Sequence, residues 1–134
     1  MIVADANLLA YLVMPGERTV EAEAVLAKDP TWVMPVLWRS ALRSVVHKYI
    51  MRGDLTVAQA VALLGQGHDV IGGREGDVDS RDVLELASHS KCTTYDCEYV
   101  ALANALGVPL VTTDRAVLKA FPKRAMTPAE FLGE

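Results

Sequence analysis

Two cysteines, Cys92 and Cys97, are too few in a chain of 134 residues for a disulfide scaffold. With His89 they lie close together, but they lack a fourth ligand and zinc-finger spacing, so both thiols read as reduced and structural. No apolar run approaches the roughly 18 residues of a membrane span, and the opening Met-Ile-Val-Ala-Asp has neither a basic leader nor a long apolar core. A soluble, cytoplasmic protein without membrane partners is expected. Excess positive charge is also missing. The formal charge of −4 gives no global attraction to polyanions, so binding of nucleic acid must come from a local basic patch or a metal. No linker, internal repeat, low-complexity tract or Asn-Gly hairpin signal interrupts the chain, and its length suits a single domain, residues 1–134.

What is present is organised around residues 93–117. A helix is predicted to enter through Thr93-Thr94-Tyr95-Asp96 and to close at Gly107, and a short apolar strand over 109–113 then runs into Asp114. The first residues repeat half of this design, with Ile2-Val3-Ala4 running into Asp5. In a parallel sheet the carboxyl ends of the strands share one edge, where ligands bind, so Asp5 and Asp114 are expected to be neighbours.

Elsewhere, helices are predicted over 7–13 and 17–28, a strand over 31–34 stopped by Pro35, and an amphipathic helix over 36–51. On that helix Leu37, Ala41 and Val45 form one row, while Arg39, Arg43 and His47 recur on the other side with Lys48 and Arg52 beyond. Thr56 and Gln59 form a capping box for a further helix, expected to end near residues 65–67. The glycine-rich segment 69–79 is the least regular, with a short strand expected at Val70-Ile71. Ser80 is expected to cap a helix reaching residue 90, with Val83, Leu84 and Ala87 inward. A brief strand over 124–126 precedes a last helix announced by Thr127-Pro128-Ala129-Glu130. Alternating strands and helices predict an α/β fold with a parallel sheet covered on both faces.

Asp5, Asp96 and Asp114 each stand at a predicted helix start, where a carboxylate caps backbone N–H groups. Capping alone does not require all three on one side. Carboxylates gathered in one crevice raise each other's pKa unless a cation neutralises them, and Mg²⁺ or Mn²⁺ suits an all-oxygen site. Asn7 and Thr112 are candidates for orienting those carboxylates.

These residues resemble the PIN domains, and among them the VapC-type toxin ribonucleases of toxin–antitoxin pairs. The resemblance rests on Asp5-Ala6-Asn7, on 35–45, on Thr94-Tyr95-Asp96 through Ala103, and on Pro109 to Arg115. It implies a three-layer α/β/α fold with a five-stranded parallel sheet, a Mg²⁺ or Mn²⁺ cofactor, hydrolysis of RNA by metal-activated water, a homodimer, and a small antitoxin as partner. Asp5, Asp96 and Asp114 take the places of three family acids, as catalytic and metal-binding residues. By spacing from Pro35, with Ser44 matching the family's small polar residue, the remaining acid falls on Ala41. This departure implies a weakened or engineered inactive nuclease, or a non-catalytic module binding RNA or an antitoxin. Substrate phosphates are expected to meet Arg39, Arg43 and Arg115, while Trp38, Leu42, Leu63 and Leu64 are expected to supply an apolar partner surface. A haloacid-dehalogenase-like phosphatase would need a second Asp where Asn7 stands, and a receiver domain would need an acidic pair after the first strand.

Overall fold

A computed structural model describes residues 1–134. Five strands form one parallel sheet: β1 (Ile2–Ala4), β2 (Trp32–Pro35), β3 (Glu75–Gly76), β4 (Leu110–Val111) and β5 (Ala125–Met126), in the order β3-β2-β1-β4-β5. The helices flanking it are α1 (Ala6–Val13), α2 (Thr19–Lys28), α3 (Trp38–Met51), α4 (Val57–Ile71), α5 (Ser80–Ser88), α6 (Thr94–Leu106), α7 (Arg115–Ala120) and α8 (Pro128–Leu132). Every residue of β1, β2 and β4 is buried. Strands without a polar alternation are what a sheet covered on both faces requires, and the α/β/α expectation holds. From β1 the chain builds outward to β2 and β3, then returns to add β4 and β5 on the other side. The order therefore reverses between β1 and β4, the switch point where α/β sheets place their ligands.

The short-range signals act where the sequence puts them. Thr56 and Gln59 close a reciprocal capping box on α4, Thr93 and Asp96 close one on α6, and Gly107 ends α6 in the left-handed conformation at φ 66°. Thr127 caps α8 with Pro128 at the first turn.

Several expectations are corrected. Helix α4 does not end near residues 65–67 but runs through both glycines to a left-handed Gly72, and it absorbs Val70 and Ile71 instead of releasing them as a strand. Packing explains its persistence. A Cβ built on Gly67 would lie 3.0 Å from Leu42 Cδ2 and 3.4 Å from Trp38 Cζ3, so this glycine lets α4 approach α3 closely. The edge strand falls instead on Glu75–Gly76, in the segment read as irregular. The cap of α5 is Asp79, whose carboxylate accepts from Arg81 and Asp82, and Ser80 is the first helical residue. Leu84 points outward at 57% exposure, and Val83 alone of α5 is buried. Trp38 and Leu42 are core residues at 1% and 0% exposure, so they supply no partner surface; Leu63 and Leu64 are half-buried against the same core.

Candidate active site

The backbone of Asp5 continues the β1–β4 ladder, its N–H donating to Val111 O at 3.2 Å, so its side chain emerges at the carboxyl edge of the sheet. Asp114 follows β4 by three residues and opens α7 on that edge. Helix α6 brings in Asp96, and the other wall is closed by Ala41 and Val45 of α3 with Leu37 just before it. The result is a cleft of about 630 Å³ lined by Asp5, Asp96 and Asp114 together with Asn7, Ser40, Ala41, Ser44, Tyr95, Tyr99 and Thr112.

Each aspartate is also a cap. Asp5 Oδ1 accepts the Leu8 N–H at 2.8 Å, Asp114 Oδ1 accepts those of Ala116 and Val117, and Asp96 Oδ2 accepts that of Thr93 at 3.4 Å. These bonds turn part of each carboxylate toward its own helix. The three acids therefore share a cleft without forming a ready three-donor cluster, and nowhere are three His, Cys, Asp or Glu side chains grouped to hold one ion.

Burial pushes the pKa of Asp5 above the ordinary carboxylate value; hydrogen bonds from the Thr112 hydroxyl and the Leu8 and Thr113 backbone oppose the rise, and the charge of Asp114 adds to it. Thr112, 1% exposed, joins the two acids: its hydroxyl donates to Asp5 Oδ2 and accepts the Asp114 N–H at 3.0 Å.

Of the other predicted residues, Asn7 and Ala41 line the cleft, whereas Arg39, Arg43 and Arg115 do not. Arg39 is engaged elsewhere, its Nε and guanidinium NH2 donating to Glu75 Oε1 at 3.0 and 2.6 Å. Sequence reasoning missed Tyr99. It stands one helical turn after Asp96, so helix periodicity places both on one face. Its hydroxyl is buried without a hydrogen-bond partner, and burial, with the charges of Asp5, Glu98 and Asp96, pushes its pKa up, so the phenol stays protonated.

A doubly covered parallel α/β domain with an acidic cleft at its switch point defines a class, and family comparison gives the class its name: the chain belongs to the PIN domain family, whose model matches residues 2–123. It is 29% identical over 126 residues to ribonuclease VapC3 of Pyrobaculum aerophilum, covering 90% of this chain and 95% of that one. Its fold is similar to PAE2754 from Pyrobaculum aerophilum, with TM-score 0.78, 21% identity, and 98% and 93% of the two chains covered. FitAcB from Neisseria gonorrhoeae is similar with TM-score 0.74, 18% identity, and 96% and 98% covered.

Proposed function

We propose that this chain is a divalent-metal-dependent endoribonuclease, the cytoplasmic toxin of a toxin–antitoxin pair, acting on RNA as a homodimer and restrained by a small antitoxin. The observation that carries the reading is the gathering of Asp5, Asp96 and Asp114 around one cleft at the sheet's switch point. The likeness to a VapC ribonuclease along 90% of the chain supports the same activity.

The donor set suits Mg²⁺ or Mn²⁺ in chemistry. All donors are hard carboxylate oxygens, and Asp5, whose pKa is raised chiefly by burial and only slightly by the charge of Asp114, is a desolvated carboxylate whose charged form a cation would favour. Mg²⁺ commonly takes one or two carboxylates and keeps several waters, so a site built on Asp5 and Asp114, with Asp96 facing the same cleft, does not need three direct ligands. Bound there, the ion would supply an activated water and offset charge on the scissile phosphate. Thr112 orients the Asp5 carboxylate and holds the backbone of Asp114 through its N–H, and Asn7 lines the cleft.

Ala41 favours a second reading, a PIN-like module that binds RNA or an antitoxin without cutting. It offers only a methyl group to the cleft wall, where a family acid would assist the water. A labelled-RNA assay with Mn²⁺ titration separates the two. The nuclease reading expects slow, metal-dependent cleavage that Asp5→Ala abolishes and Ala41→Glu raises about tenfold or more, the scale of a restored group acting on the attacking water. Metal-loaded protein that cuts in neither form gives way to the binding module.

A further inference from the structure

A second groove, about 850 Å³ and larger than the acidic cleft, shares Asn7 and Val45 with it and so continues it along the seam between α1 and α3. Its walls carry Tyr11, Arg18, His47, Lys48, Tyr49 and Arg52, against a single acid, Glu17. In a chain of formal charge −4 this is a local concentration of positive charge directly beside the carboxylates.

Its cations are arranged rather than scattered. The Arg18 guanidinium lies 5.1 Å from the Tyr11 ring centroid and donates to its hydroxyl at 3.4 Å, and that of Arg52 lies 4.3 Å from the Tyr49 centroid. The turn carrying Arg18 is fastened by Thr19, whose hydroxyl donates to Tyr11 O at 2.8 Å, with Met14 O the alternative acceptor at 3.2 Å, while accepting the Gly16 N–H at 3.0 Å. The one ion pair made by a groove cation, Arg52 Nε to Asp54 Oδ2 at 3.7 Å just outside the groove, is exposed on both sides and costs little to open. Positive charge that follows a backbone, with aromatic and guanidinium planes on which bases stack, is the chemistry of single-stranded nucleic-acid binding.

We infer that this groove is the binding path for single-stranded RNA flanking the bond to be cut, with Arg18, Lys48 and Arg52 on phosphates, His47 beside them, and Tyr11 and Tyr49 backing stacked bases. The inference rests on the ribonuclease reading for its substrate but not for its binding. It moves substrate contact from Arg39, Arg43 and Arg115, which line neither the cleft nor the groove, to Arg18, Lys48 and Arg52.

The test is fluorescence anisotropy of a labelled single-stranded RNA in EDTA over a salt series, which removes metal and cleavage from the measurement. Combining Arg18→Ala, Lys48→Ala and Arg52→Ala is expected to weaken binding at least about tenfold and to flatten the log–log salt slope by about 2, near 0.7 for each phosphate contact. Tyr49→Ala is expected to cost about tenfold with the slope kept. Removing equal charge elsewhere, through Arg81→Ala, Lys119→Ala and Lys123→Ala, is expected to leave binding as it was. Should the triple groove variant fail to fold, Lys48→Gln alone carries the prediction, with a slope change of about 0.7. Wild-type chain that binds no RNA in low salt, groove variants that bind like wild type, or a control that loses as much affinity each overturn the groove. An oligoglutamate peptide that outcompetes RNA there would overturn it in favour of a protein ligand. Groove-dependent binding without any metal-dependent cleavage leaves the groove standing and removes the nuclease; cleavage with groove-independent binding does the reverse.

Discussion

Thr112 joins the two strands that matter most, because its hydroxyl donates to the Asp5 carboxylate and accepts the backbone N–H of Asp114. Thr112→Val keeps the shape and removes both bonds. Leaving a buried carboxylate oxygen without its donor is expected to destabilise the fold by about 2 kcal/mol in urea denaturation. It should also weaken any Mn²⁺ binding seen by calorimetry. Tyr99 presents the converse case. Its buried hydroxyl carries a desolvation cost with no bond to offset it, so Tyr99→Phe is expected to be neutral or to stabilise by up to about 1 kcal/mol. A loss of stability on that change would mean that the hydroxyl has a partner in solution, water or a cleft carboxylate, and would reassign it to the site.

At the level of elements, α4 and β3 show how tertiary contacts override local signals. Gly65 has nothing within 4 Å of a built Cβ and lies on the exposed side of α4, whereas Gly67 is pressed against Leu42 and Trp38. Gly65→Ala should raise stability by about 1 kcal/mol through helix propensity. Gly67→Ala should gain nothing or lose, because α3 must give way; thermal melts of the two variants compare them directly. Strand β3 is held partly by Glu75, whose carboxylate accepts from Arg39 on α3. The Arg39 hydrogen bond holds its pKa below the usual carboxylate value. A depressed pKa means that the folded state releases the proton more readily than the unfolded one, so the stabilisation is present above the unfolded value of 4.5 and lost as pH falls through the lower folded value. Glu75→Gln should therefore lower Tm near pH 7, and the gap to wild type should narrow as pH falls below 4.5 and through the lower folded value.

For the whole molecule, strand order decides where chemistry can sit. Asp5 and Asp114 are 109 positions apart in sequence yet stand on adjacent strand ends, because β4 returns to pair with β1 after β2 and β3 have been laid on its other side. The same folding buries Trp38 and Leu42 and leaves a different apolar row outside, with Val57 and Val61 one turn apart on α4 at 66% and 60% exposure. If the homodimer forms, this row offers it one apolar surface. Val57→Glu with Val61→Glu is then expected to convert a dimer to a monomer in light scattering, while a dimer unchanged by both charges would place the interface elsewhere.

The sequence by itself determined what depends on neighbours along the chain. The caps at Thr56, Thr93 and Thr127, the left-handed stop at Gly107 and the short apolar strands leading to Asp5 and Asp114 are read within a few residues and stand in the structure. From these alone followed a parallel α/β domain with Asp5, Asp96 and Asp114 on one edge. Tertiary structure decided whatever depends on what lies opposite. It kept α4 helical through two glycines, chose Glu75–Gly76 as the edge strand, drew Arg39 away to Glu75, and turned each aspartate partly toward its own helix. It also set Arg18, from a turn, beside Lys48 and Arg52, from a helix some thirty residues later, in one groove. Helical and strand periodicities report which face a residue occupies, but not which other face will meet it, and that is fixed only when the layers pack.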